Sequence, residues 1–455
     1  MKLSDFLEAK SEGKELRPIN INYVNDNPKK GYDINDLKVI GITGSTGKST
    51  TAFIIHKYLK ELGKKSVLYS SITVDSPASL ACSDTAYEIA CRDENSLLSI
   101  VNEAKEYEAE YLVLEVNESS LEKGIFQGFP FDVRVLTNLL PAHNLARYTK
   151  EEYVNIKKSF FTNIDTQCQC VFGFQNYTKE LLNEFLELSK SQNSFVCTNR
   201  FIQEKYGVDN VDCLLYGCKN TLDGLELKIK LKEEDIKLST KLCMFHNAMN
   251  LLTALTVLQA LGLFDEKKFN KAIKNIVVPG RTELYKVNGR IIVIDNHLPK
   301  VLENLKEYKD NNEITSIKVV LGSIGSGFRT WDDRFKSNDF IEKHHQAKRF
   351  AINLVSRYAD YVCFTESDSG KESPLDICQE LKSYLDETIE SKIIVDREEA
   401  IRDTIINSSA GDAIFISGRG NRDILCCSET KVKHIKDSDV VVKILKELGW
   451  SVDEK

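Results

Sequence analysis

The stretch that decides the fold is Val39-Ile40-Gly41-Ile42-Thr43-Gly44-Ser45-Thr46-Gly47-Lys48-Ser49-Thr50. Its apolar run ends in glycines, and Lys-Ser-Thr then opens a segment with the apolar spacing of a helix, which ends at Gly63. A strand, a glycine loop and a helix N-terminus together bind nucleotide phosphates, because the loop amides point inward and the helix end favours negative charge. The stretch therefore predicts an ATP site, in which Lys48 reaches the β- and γ-phosphates and the Ser49 hydroxyl binds Mg²⁺.

The composition indicates a globular protein of two or three domains. The chain has 455 residues, of which 42% are hydrophobic and 28% charged. Its net charge of −7 argues against non-specific nucleic-acid binding, and neither a signal peptide nor an apolar stretch of membrane-spanning length is evident. The twelve cysteines include no C-x-x-C pair, which disfavours a zinc site. We therefore expect a cytoplasmic monomer with reduced thiols that binds small molecules and neither nucleic acid nor membrane.

Strands and helices alternate from Leu37 onward. Ser96–Tyr107 has the spacing of a helix, whereas Tyr111–Val116 and Val133–Asn138 are apolar runs typical of buried strands. This alternation predicts an α/β fold with a mostly parallel, doubly wound sheet.

Polar residues stand at the ends of these expected strands. Ligands of doubly wound sheets bind at the carboxyl ends of the strands, where Glu115, Asn138 and His143 would fall. An acid at the end of an apolar strand after a phosphate loop is the usual position of a Mg²⁺ carboxylate. Taken alone, however, Glu115 is equally well explained as a solvent-facing acid and His143 as an ordinary loop histidine.

The central region ends in a polar stretch and an apolar helix. Residues near 219–240 form a polar stretch. Phe245-His246-Asn247-Ala248-Met249-Asn250 then opens a strongly apolar helix that ends at Gly262.

The chain divides into three regions. Residues 1–36 are polar, contain one short helix candidate at Leu3–Ala9 and are too few to form a domain. Pro279-Gly280-Arg281 predicts a boundary between a central domain, 37–278, and a C-terminal domain, 279–455. Strand patterns without a phosphate loop recur in the last domain, at residues 291–295, 318–322, 361–365, 393–396 and 413–418. We expect a phosphate-loop ATPase domain followed by a Rossmann-like domain, with a second substrate meeting ATP between them.

A series of short motifs runs through the chain in a fixed order. After the phosphate loop they are Glu115–Leu121, Phe131–Val133, Thr137–Leu139, Ala142-His143, Tyr153–Lys157, Asn247/Asn250, Gly280–Glu283, Asp295–Pro299, Asp396–Ile401 and Gly418–Arg422. Together they resemble the Mur ligase family, the ATP-dependent amino-acid ligases of cell-wall peptide synthesis. The family's loop, T-G-x-x-G-K-[ST]-[ST], corresponds to Thr43–Thr50, which explains why Ile42 stands where the strict phosphate-loop pattern requires glycine. The chain most resembles the MurE branch, whose members add the third residue to a UDP-muramoyl dipeptide.

The resemblance implies a mechanism and two metal ions. A substrate carboxylate attacks ATP to give an acyl phosphate, and the amine of an amino acid then displaces phosphate. Ser49 and Glu115 would hold one Mg²⁺. A second Mg²⁺ would be bound by Glu115, His143 and a carbamylated Lys157, because carbamylation turns a cationic amine into an anionic oxygen ligand. Lys158 lies one residue out of the family register.

The same resemblance implies the remaining contacts. Two asparagines would lie on the adenine side, and an arginine and a histidine of the C-terminal domain would approach the phosphates. The residues expected to bind ATP are Gly44, Gly47, Lys48, Ser49, Thr50, Asn138, Asn247, Asn250, Arg281 and Asp295. Those expected to take part in catalysis are Lys48, Lys157, His143, Arg281 and His297.

The positions expected to bind substrates differ from the family pattern. Asn117 and Ser119 stand in a segment that seats the acceptor through serines and a histidine, and the loop with Asp368 and Gly370 lacks the arginine that holds diaminopimelate. Arg422 replaces the glutamate that receives the amine of the amino acid.

The change at Arg422 alters the expected amino acid. A guanidinium repels an ammonium group but pairs with a carboxylate, so we expect poor use of diaminopimelate and preference for an acidic amino acid. Lys371, beside the altered loop, weakens this expectation because it could restore a cation, and Arg422 could instead pair with Asp423 on the surface.

Two other functions remain open. The first is an ATP-binding switch or assembly protein without ligase activity, which changed acceptor residues would allow. The second is a ligase that acts on another carrier, such as a pseudomurein-type nucleotide peptide, a polyglutamyl chain or a small pathway intermediate. About 36 residues precede the core, where MurE proteins have a domain for the UDP-sugar, so we expect a truncated N-terminal segment.

Overall fold

The computed structural model describes residues 34, 36–76, 94–140, 148–189, 193–325, 338–427 and 432–451. Contacts divide the chain into two compact units, with the division between Ile276 and Val277. Among the described helices, none is long and apolar enough to cross a membrane. The helix candidate at Leu3–Ala9 and the expected site residue His143 lie outside the described residues.

The first unit alternates strands and helices. Its strands are β1 (Lys38–Thr43), β2 (Ser66–Tyr69), β3 (Val74–Asp75), β4 (Tyr111–Glu115), β5 (Val133–Leu136), β6 (Gln169–Gly173), β7 (Ser194–Asn199), β8 (Cys213–Thr221), β9 (Gly224–Leu231) and β10 (Glu234–Thr240). Its helices are α1 (Lys48–Glu61), α2 (Glu94–Glu106), α3 (Glu118–Glu122), α4 (Lys150–Ser159), α5 (Lys179–Ser189), α6 (Arg200–Tyr206), α7 (Phe245–Ala260) and α8 (Glu266–Ile273).

These ten strands form one sheet in the order β10-β9-β8-β7-β6-β5-β1-β4-β2-β3. β1 lies between β4 and β5 and is parallel to both. Parallel pairing continues from β5 to β8, whereas β3, β9 and β10 are antiparallel to their neighbours. The expected mostly parallel sheet is confirmed. Because the chain proceeds from β1 to β2 on one side and later to β5 on the other, the order reverses beside the carboxyl end of β1, where such sheets bind ligands.

Apolar strands fix this sheet in the interior. All five residues of β4 are buried, and Lys38 is the only exposed residue of β1. Parallel strands that are covered on both faces consist of continuous apolar runs, as these do. The site residues that follow β1 and β4 are therefore attached to strands that are fixed in the core.

The sequence does not predict the three-stranded antiparallel meander of β8, β9 and β10. Leu225, Leu227, Ile229 and Leu231 are buried and alternate with charged residues, and β9 pairs with antiparallel strands on both sides. The polar stretch near 219–240, for which the sequence predicts no element, therefore contains β9, β10 and the end of β8. Its high content of charged residues concealed a period of two, which is the pattern of a strand with one solvent-facing side.

The second unit is also α/β. Its strands are β11 (Glu283–Val287), β12 (Arg290–Asp295), β13 (Ser316–Leu321), β14 (Tyr361–Phe364), β15 (Glu390–Ile393), β16 (Asp412–Ser417), β17 (Ile424–Cys426) and β18 (Val432–His434). Its helices are α9 (Leu298–Asp310), α10 (Asn338–Tyr358), α11 (Pro374–Ser383), α12 (Arg397–Ile406) and α13 (Asp437–Glu447).

A six-stranded sheet forms the core of this unit, in the order β11-β12-β16-β13-β14-β15. Every pair is parallel except β11–β12, and β17 and β18 form a separate two-stranded ribbon. The strand expected at 393–396 ends at Ile393 instead, because Asp396 accepts a hydrogen bond from Glu399 N and caps α12.

A fully buried ion pair joins two helices of the second unit. The Arg397 Nε and Nη2 atoms each donate to a carboxylate oxygen of Asp437 at 2.7 Å. Arg397 also donates to Glu366 O and Ser417 O. This network ties α12 and α13 to the carboxyl ends of β14 and β16.

Candidate active site

The phosphate loop, residues 44–47, follows β1 and leads directly into α1. Gly44 and Gly47 have backbone φ angles of 145° and 80°, which residues with a Cβ atom rarely adopt. A Cβ on Gly44 would lie 2.1 Å from Thr137 Oγ1, and one on Gly47 would lie 2.2 Å from Asn250 Oδ1. Gly47 is the N-cap of α1 and has no side-chain cap, so the first amides of the helix are left for an anion.

Two side chains after β5 hold the loop in shape. Asn138 Oδ1 accepts from Thr46 N at 3.1 Å and from Thr46 Oγ1 at 3.3 Å, while Asn138 Nδ2 donates to Thr46 O at 2.8 Å. Thr137 Oγ1 donates to the same carbonyl at 2.6 Å. Asn138 was expected to bind ATP; the structure places its side chain on the loop backbone, where it fixes the amides that would contact phosphate.

The expected metal residues lie beside the loop. Ser49 Oγ is 3.0 Å from Ser71 Oγ, and Ser71 N donates to Glu115 Oε2 at 2.8 Å. Glu115 is 4% exposed, so it is not a solvent-facing acid. Lys48 Nζ donates to Gly44 O at 3.1 Å, so its side chain folds back over the loop.

Helix α4 contacts the loop with one face. Tyr153 and Lys157, one turn apart, are both fully buried. Tyr153 OH donates to Ser45 Oγ at 2.9 Å, and Lys157 Nζ donates to Thr43 Oγ1 at 3.1 Å. Lys158 points the other way and pairs with Glu184. Lys157 is thus the lysine of α4 that reaches the site.

The surroundings of Lys157 are charged. Its Nζ lies 3.4 Å from Glu118 Oε2, in the first turn of α3. Burial lowers the pKa of Lys157 to about 8; the Glu118 carboxylate opposes this shift, and the positive charge of Lys48 adds to it.

Two asparagines of α7 are hydrogen-bonded to each other, and one of them contacts the phosphate loop. Asn250 Nδ2 donates to Asn247 Oδ1 at 3.1 Å, and Asn247 Nδ2 donates to Cys243 O at 2.8 Å. The family resemblance implies an adenine-side position for both residues. The structure places the Asn250 amide oxygen against Gly47, so Asn250 packs on the loop itself.

The residues expected to seat the acceptor lie at the start of α3. Asn117 is the N-cap of this helix, and its Oδ1 accepts from Ser120 N at 2.8 Å. Ser119 is half-buried on the same turn. Both follow β4 and therefore lie near the Glu115 end of the strand.

In the second unit, the Asp295 carboxylate accepts hydrogen bonds from residues next to those expected to contact ATP. Its Oδ2 accepts from Thr282 N at 2.6 Å and Thr282 Oγ1 at 3.0 Å, and its Oδ1 accepts from His297 N at 2.7 Å. Burial lowers the pKa of His297 to about 4, and the nearby charges of Lys300 and Arg281 act in the same direction. Asp295 is thus a brace for the backbone on either side of it.

Asp368 and Arg422, both expected to bind substrate, are in contact. Asp368 Oδ2 lies 2.9 Å from Arg422 Nη1, while its Oδ1 accepts from Arg419 Nη1 at 3.2 Å and Cys426 N at 2.9 Å. Asp368 is 1% exposed. Gly370 is also buried, with a φ of 61°.

Besides Thr137, the structure adds three residues to the site that the sequence does not indicate. Ser71, Tyr153 and Glu118 contact Ser49, Ser45 and Lys157 respectively. Ser71 follows the carboxyl end of β2, and this position was a usable signal. No sequence signal pairs Glu118 with Lys157, because the contact depends on how α3 and α4 pack.

A family model matches this part of the chain. It is described as the Mur ligase middle domain and covers residues 42–258, from the end of β1 through most of α7. Its span includes the phosphate loop, Glu115 and Lys157. This match supports the placement in the Mur ligase family that the sequence motifs predict.

Similar proteins and structures agree with this placement. A UDP-N-acetylmuramoyl-L-alanyl-D-glutamate–2,6-diaminopimelate ligase of Prochlorococcus marinus is 24% identical over 91% of this chain and 78% of its own length. The solved MurF ligase of Thermotoga maritima, in complex with ADP, has a TM-score of 0.61 and 16% identity over 98% of this chain and 91% of its own. The folylpolyglutamate synthase of the same organism has a TM-score of 0.57 and 17% identity over 84% and 86%. The expected enzyme class, an ATP-dependent amide-forming ligase, is confirmed.

Proposed function

We propose that this Mur ligase joins an amino acid to a carboxylate of a nucleotide-linked cell-wall peptide precursor. The carboxylate oxygen attacks the γ-phosphorus of ATP, the bond from that phosphorus to the β-γ bridging oxygen breaks, and ADP leaves. The amine of the amino acid then attacks the acyl carbon, phosphate leaves, and the amine proton passes to solvent. The observation that carries the proposal is the braced phosphate loop, with Lys48, Ser49 and Glu115 beside it.

The difficulty of this reaction is charge, because an anion must approach a polyanion. Fixed cations and oriented amides offset that repulsion without reorganising during the step. In this chain the amides are those of the loop and the first turn of α1, and the cation is Lys48. The contacts of Asn138, Thr137 and Tyr153 hold these donors in place before ATP arrives.

The donor set fits Mg²⁺. The ion prefers oxygen ligands and is commonly bound through one or two carboxylates together with substrate phosphates. The Ser49 hydroxyl and the buried Glu115 carboxylate, linked through Ser71, would hold it. The ion would neutralise charge on the phosphates. A single protein carboxylate suffices for such a site, which agrees with the finding that the described residues contain no cluster of three or more acidic, histidine or cysteine ligands.

A second Mg²⁺ and a carbamylated Lys157 stay predictions. The second ion would require His143, which lies outside the described residues. In the described residues, the Lys157 Nζ donates to two oxygen atoms, Thr43 Oγ1 and Glu118 Oε2.

The phosphate site is tested by removing its charges. Lys48→Ala and Glu115→Gln are each expected to lower kcat for amino-acid-dependent phosphate release at least ~100-fold, as for loss of an electrostatic stabiliser. Lys158→Ala is the control, because this lysine of α4 pairs with Glu184 and makes no contact with the phosphate loop among the described residues. Near-normal turnover in Lys48→Ala or Glu115→Gln would remove that residue from the site. Release of phosphate that no amino acid stimulates would favour the ATP-binding switch instead.

The amino acid is proposed to present a carboxylate to Arg422. This guanidinium is the partly exposed partner of Asp368, and a carboxylate ligand could pair with it bidentately, whereas the ammonium end of diaminopimelate would be repelled. The position of the Arg422 side chain is explained by its ion pair with Asp368, and the expected alternative of a surface pair with Asp423 is not needed.

A panel of amino acids tests this choice. Aspartate and glutamate are expected to stimulate phosphate release more than diaminopimelate, and Arg422→Glu is expected to shift the preference toward diamino acids. Efficient use of diaminopimelate by the wild type would refute the proposal. The same panel with a polyglutamyl acceptor in place of the nucleotide-linked peptide tests the alternative carrier, which the folylpolyglutamate synthase fold keeps open.

A further inference from the structure

His56 is a buried histidine that the phosphate site does not use directly. It lies on α1, seven residues after Ser49, and its side chain has no exposed surface. Its Nδ1 lies 2.9 Å from Ser66 Oγ, and its Nε2 lies 3.0 Å from Asp75 Oδ2. Ser66 is the first residue of β2, and Asp75 is the last residue of β3. One side chain of α1 therefore contacts both strands of the β2–β3 hairpin.

A serine, a histidine and an aspartate in contact also form the catalytic triad of many hydrolases. Here, however, Ser66 is buried at the amino end of β2, whereas ligands of doubly wound sheets bind at the carboxyl ends of the strands. Both contacts of the ring can form whether or not it is charged, because the Asp75 carboxylate accepts and the Ser66 hydroxyl can donate or accept. The role of His56 therefore depends on what the hairpin holds in place.

The hairpin carries Ser71 in its turn. The turn is closed by Ser70, whose N and Oγ atoms both donate to Thr73 O at 3.0 Å. Within it, Ser71 N donates to Glu115 Oε2 at 2.8 Å, and Ser71 Oγ lies 3.0 Å from Ser49 Oγ. The position of Ser71 between these two residues therefore depends on where the hairpin lies.

Helix α1 contacts this hairpin at two points on one face. Seven residues are close to two helical turns, so Ser49 and His56 point the same way, about 10 Å apart along the axis. The two-residue strand β3 lies at the end of the described sheet, next to β2, so few ladder hydrogen bonds hold it. Lys60 Nζ also contacts Asp75 Oδ2 at 3.0 Å, but this ion pair is exposed and contributes little. The buried contacts of His56 are the stronger attachment of β3 to α1.

We propose that His56 is a positioning residue of the nucleotide site, which attaches β3 and the start of β2 to α1 and thereby holds Ser71 against Ser49 and Glu115. The inference rests on the proposed Mg²⁺ site of Ser49 and Glu115. Without this attachment, both side chains must be ordered at the moment when the ion binds. The loop amides keep their own contacts with the residues after β5. The loss should therefore reduce the gain in affinity from Mg²⁺ and leave metal-free nucleotide binding unchanged.

Amide hydrogen exchange tests the attachment in the full-length protein without ligand. His56→Phe fills a similar space but removes both polar contacts, so exchange of the Ser71 amide is expected to become about 10-fold faster, as for loss of one or two hydrogen bonds. Asp75→Ala, at a partly exposed residue, should act in the same direction. Lys60→Ala is the matched control: it removes the exposed partner of Asp75 and leaves His56 in place, so exchange should stay within about 3-fold of the wild type.

Nucleotide affinity tests the role of the attachment. The Kd of a non-hydrolysable ATP analogue is measured by calorimetry with EDTA and with Mg²⁺, and the ratio of the first value to the second is the gain from the ion. This ratio is expected to fall about 10-fold in His56→Phe, while the Kd with EDTA stays within about 3-fold of the wild type. His56→Gln, which keeps a donor for Asp75, should restore most of the ratio, whereas a residue needed only for packing would show no such rescue.

The results separate this inference from the proposed function. Unchanged exchange of the Ser71 amide in both His56→Phe and Asp75→Ala would overturn the inference. An equal loss of affinity with EDTA and with Mg²⁺ would also overturn it, because the effect would then not concern the metal side of the site. A wild type that gains no affinity from Mg²⁺ would refute the proposed magnesium site, and the exchange rates would then decide whether His56 holds Ser71. The unfolding midpoint of each variant shows that folded proteins are compared.

Discussion

The contacts of Asn138 lead to a prediction about ATP affinity. Asn138→Ala removes three hydrogen bonds to Thr46, two accepted by Oδ1 and one donated by Nδ2. The hydroxyl of Thr46 can turn to water, so two bonds to the loop backbone count. At about 0.5–1.5 kcal/mol each, they contribute roughly 2 kcal/mol to holding the loop in its binding conformation.

This free energy converts to an affinity. Since about 1.4 kcal/mol is tenfold, the Kd for Mg-ATP is expected to rise about 30-fold, because the amides must be ordered at the moment of binding. Asn138→Asp keeps the shape and the acceptor but turns a carboxylate oxygen toward Thr46 O, so it should bind no better than Asn138→Ala. Asn183→Ala, on the exposed side of α5, is the control.

Isothermal titration calorimetry measures the effect, with the unfolding midpoint recorded for each variant. A Kd within about 3-fold of the wild type for Asn138→Ala would refute the reasoning, since it would show that the loop needs no brace. An equal loss in Asn183→Ala would show that the effect is not specific to the loop.

Three further predictions concern strain, charge and pH. Gly47→Ala, whose Cβ would lie 2.2 Å from Asn250 Oδ1 at a φ of 80°, is expected to weaken ATP binding about 10-fold or more in the same titration, and unchanged binding would contradict this. Asp437→Asn leaves the buried Arg397 guanidinium without its anionic partner and is expected to cost about 3–5 kcal/mol in urea unfolding; a loss below about 1 kcal/mol would contradict it. The folded pKa of His297, about 4, lies below the unfolded value of 6.5, so its contribution to stability is complete above pH 6.5 and is lost as pH falls toward 4. His297→Asn should therefore show a smaller drop in Tm between pH 7 and pH 4.5, and an equal drop would exclude this histidine as the cause.

The phosphate loop could be predicted from sequence because its determinants are local. A strand, two glycines and a lysine within a few residues specify both the backbone and the chemistry. To predict that Glu115 lies at the site, one further rule is needed, namely that ligands bind at the carboxyl ends of the strands in a doubly wound sheet. Its burial and its contact with Ser71 agree with that step.

The antiparallel meander of β8, β9 and β10 could not be predicted from the sequence for a different reason. Its alternation of buried and charged residues was present in the sequence, but counting polarity over a window hides a period of two. The sequence pattern predicts a strand that ends at Asp396, whereas β15 ends at Ile393 and Asp396 is the N-cap of α12.

Contacts between distant segments were beyond sequence reasoning. Glu118 and Lys157 are 39 positions apart, and Asp368 and Arg422 are 54 apart. Neither pair belongs to one element, so no periodicity relates its members. Only the packing of α3 on α4, and of the loop after β14 against the loop after β16, brings them together.

The two pairs nevertheless show one principle. In each, a residue that departs from the family pattern contacts an oppositely charged residue: Glu118 contacts Lys157, and Arg422 contacts Asp368. Removing one member of a buried pair is costly because it strands the other charge, so such departures are stable only when the partner accommodates them. Arg419, the other arginine on Asp368, has no exposed side-chain surface, whereas Arg422 is 26% exposed, so only Arg422 can meet a substrate. Each altered residue is therefore accommodated by a partner within its own unit, and we expect the contacts with substrate to differ from the family pattern beside Arg422.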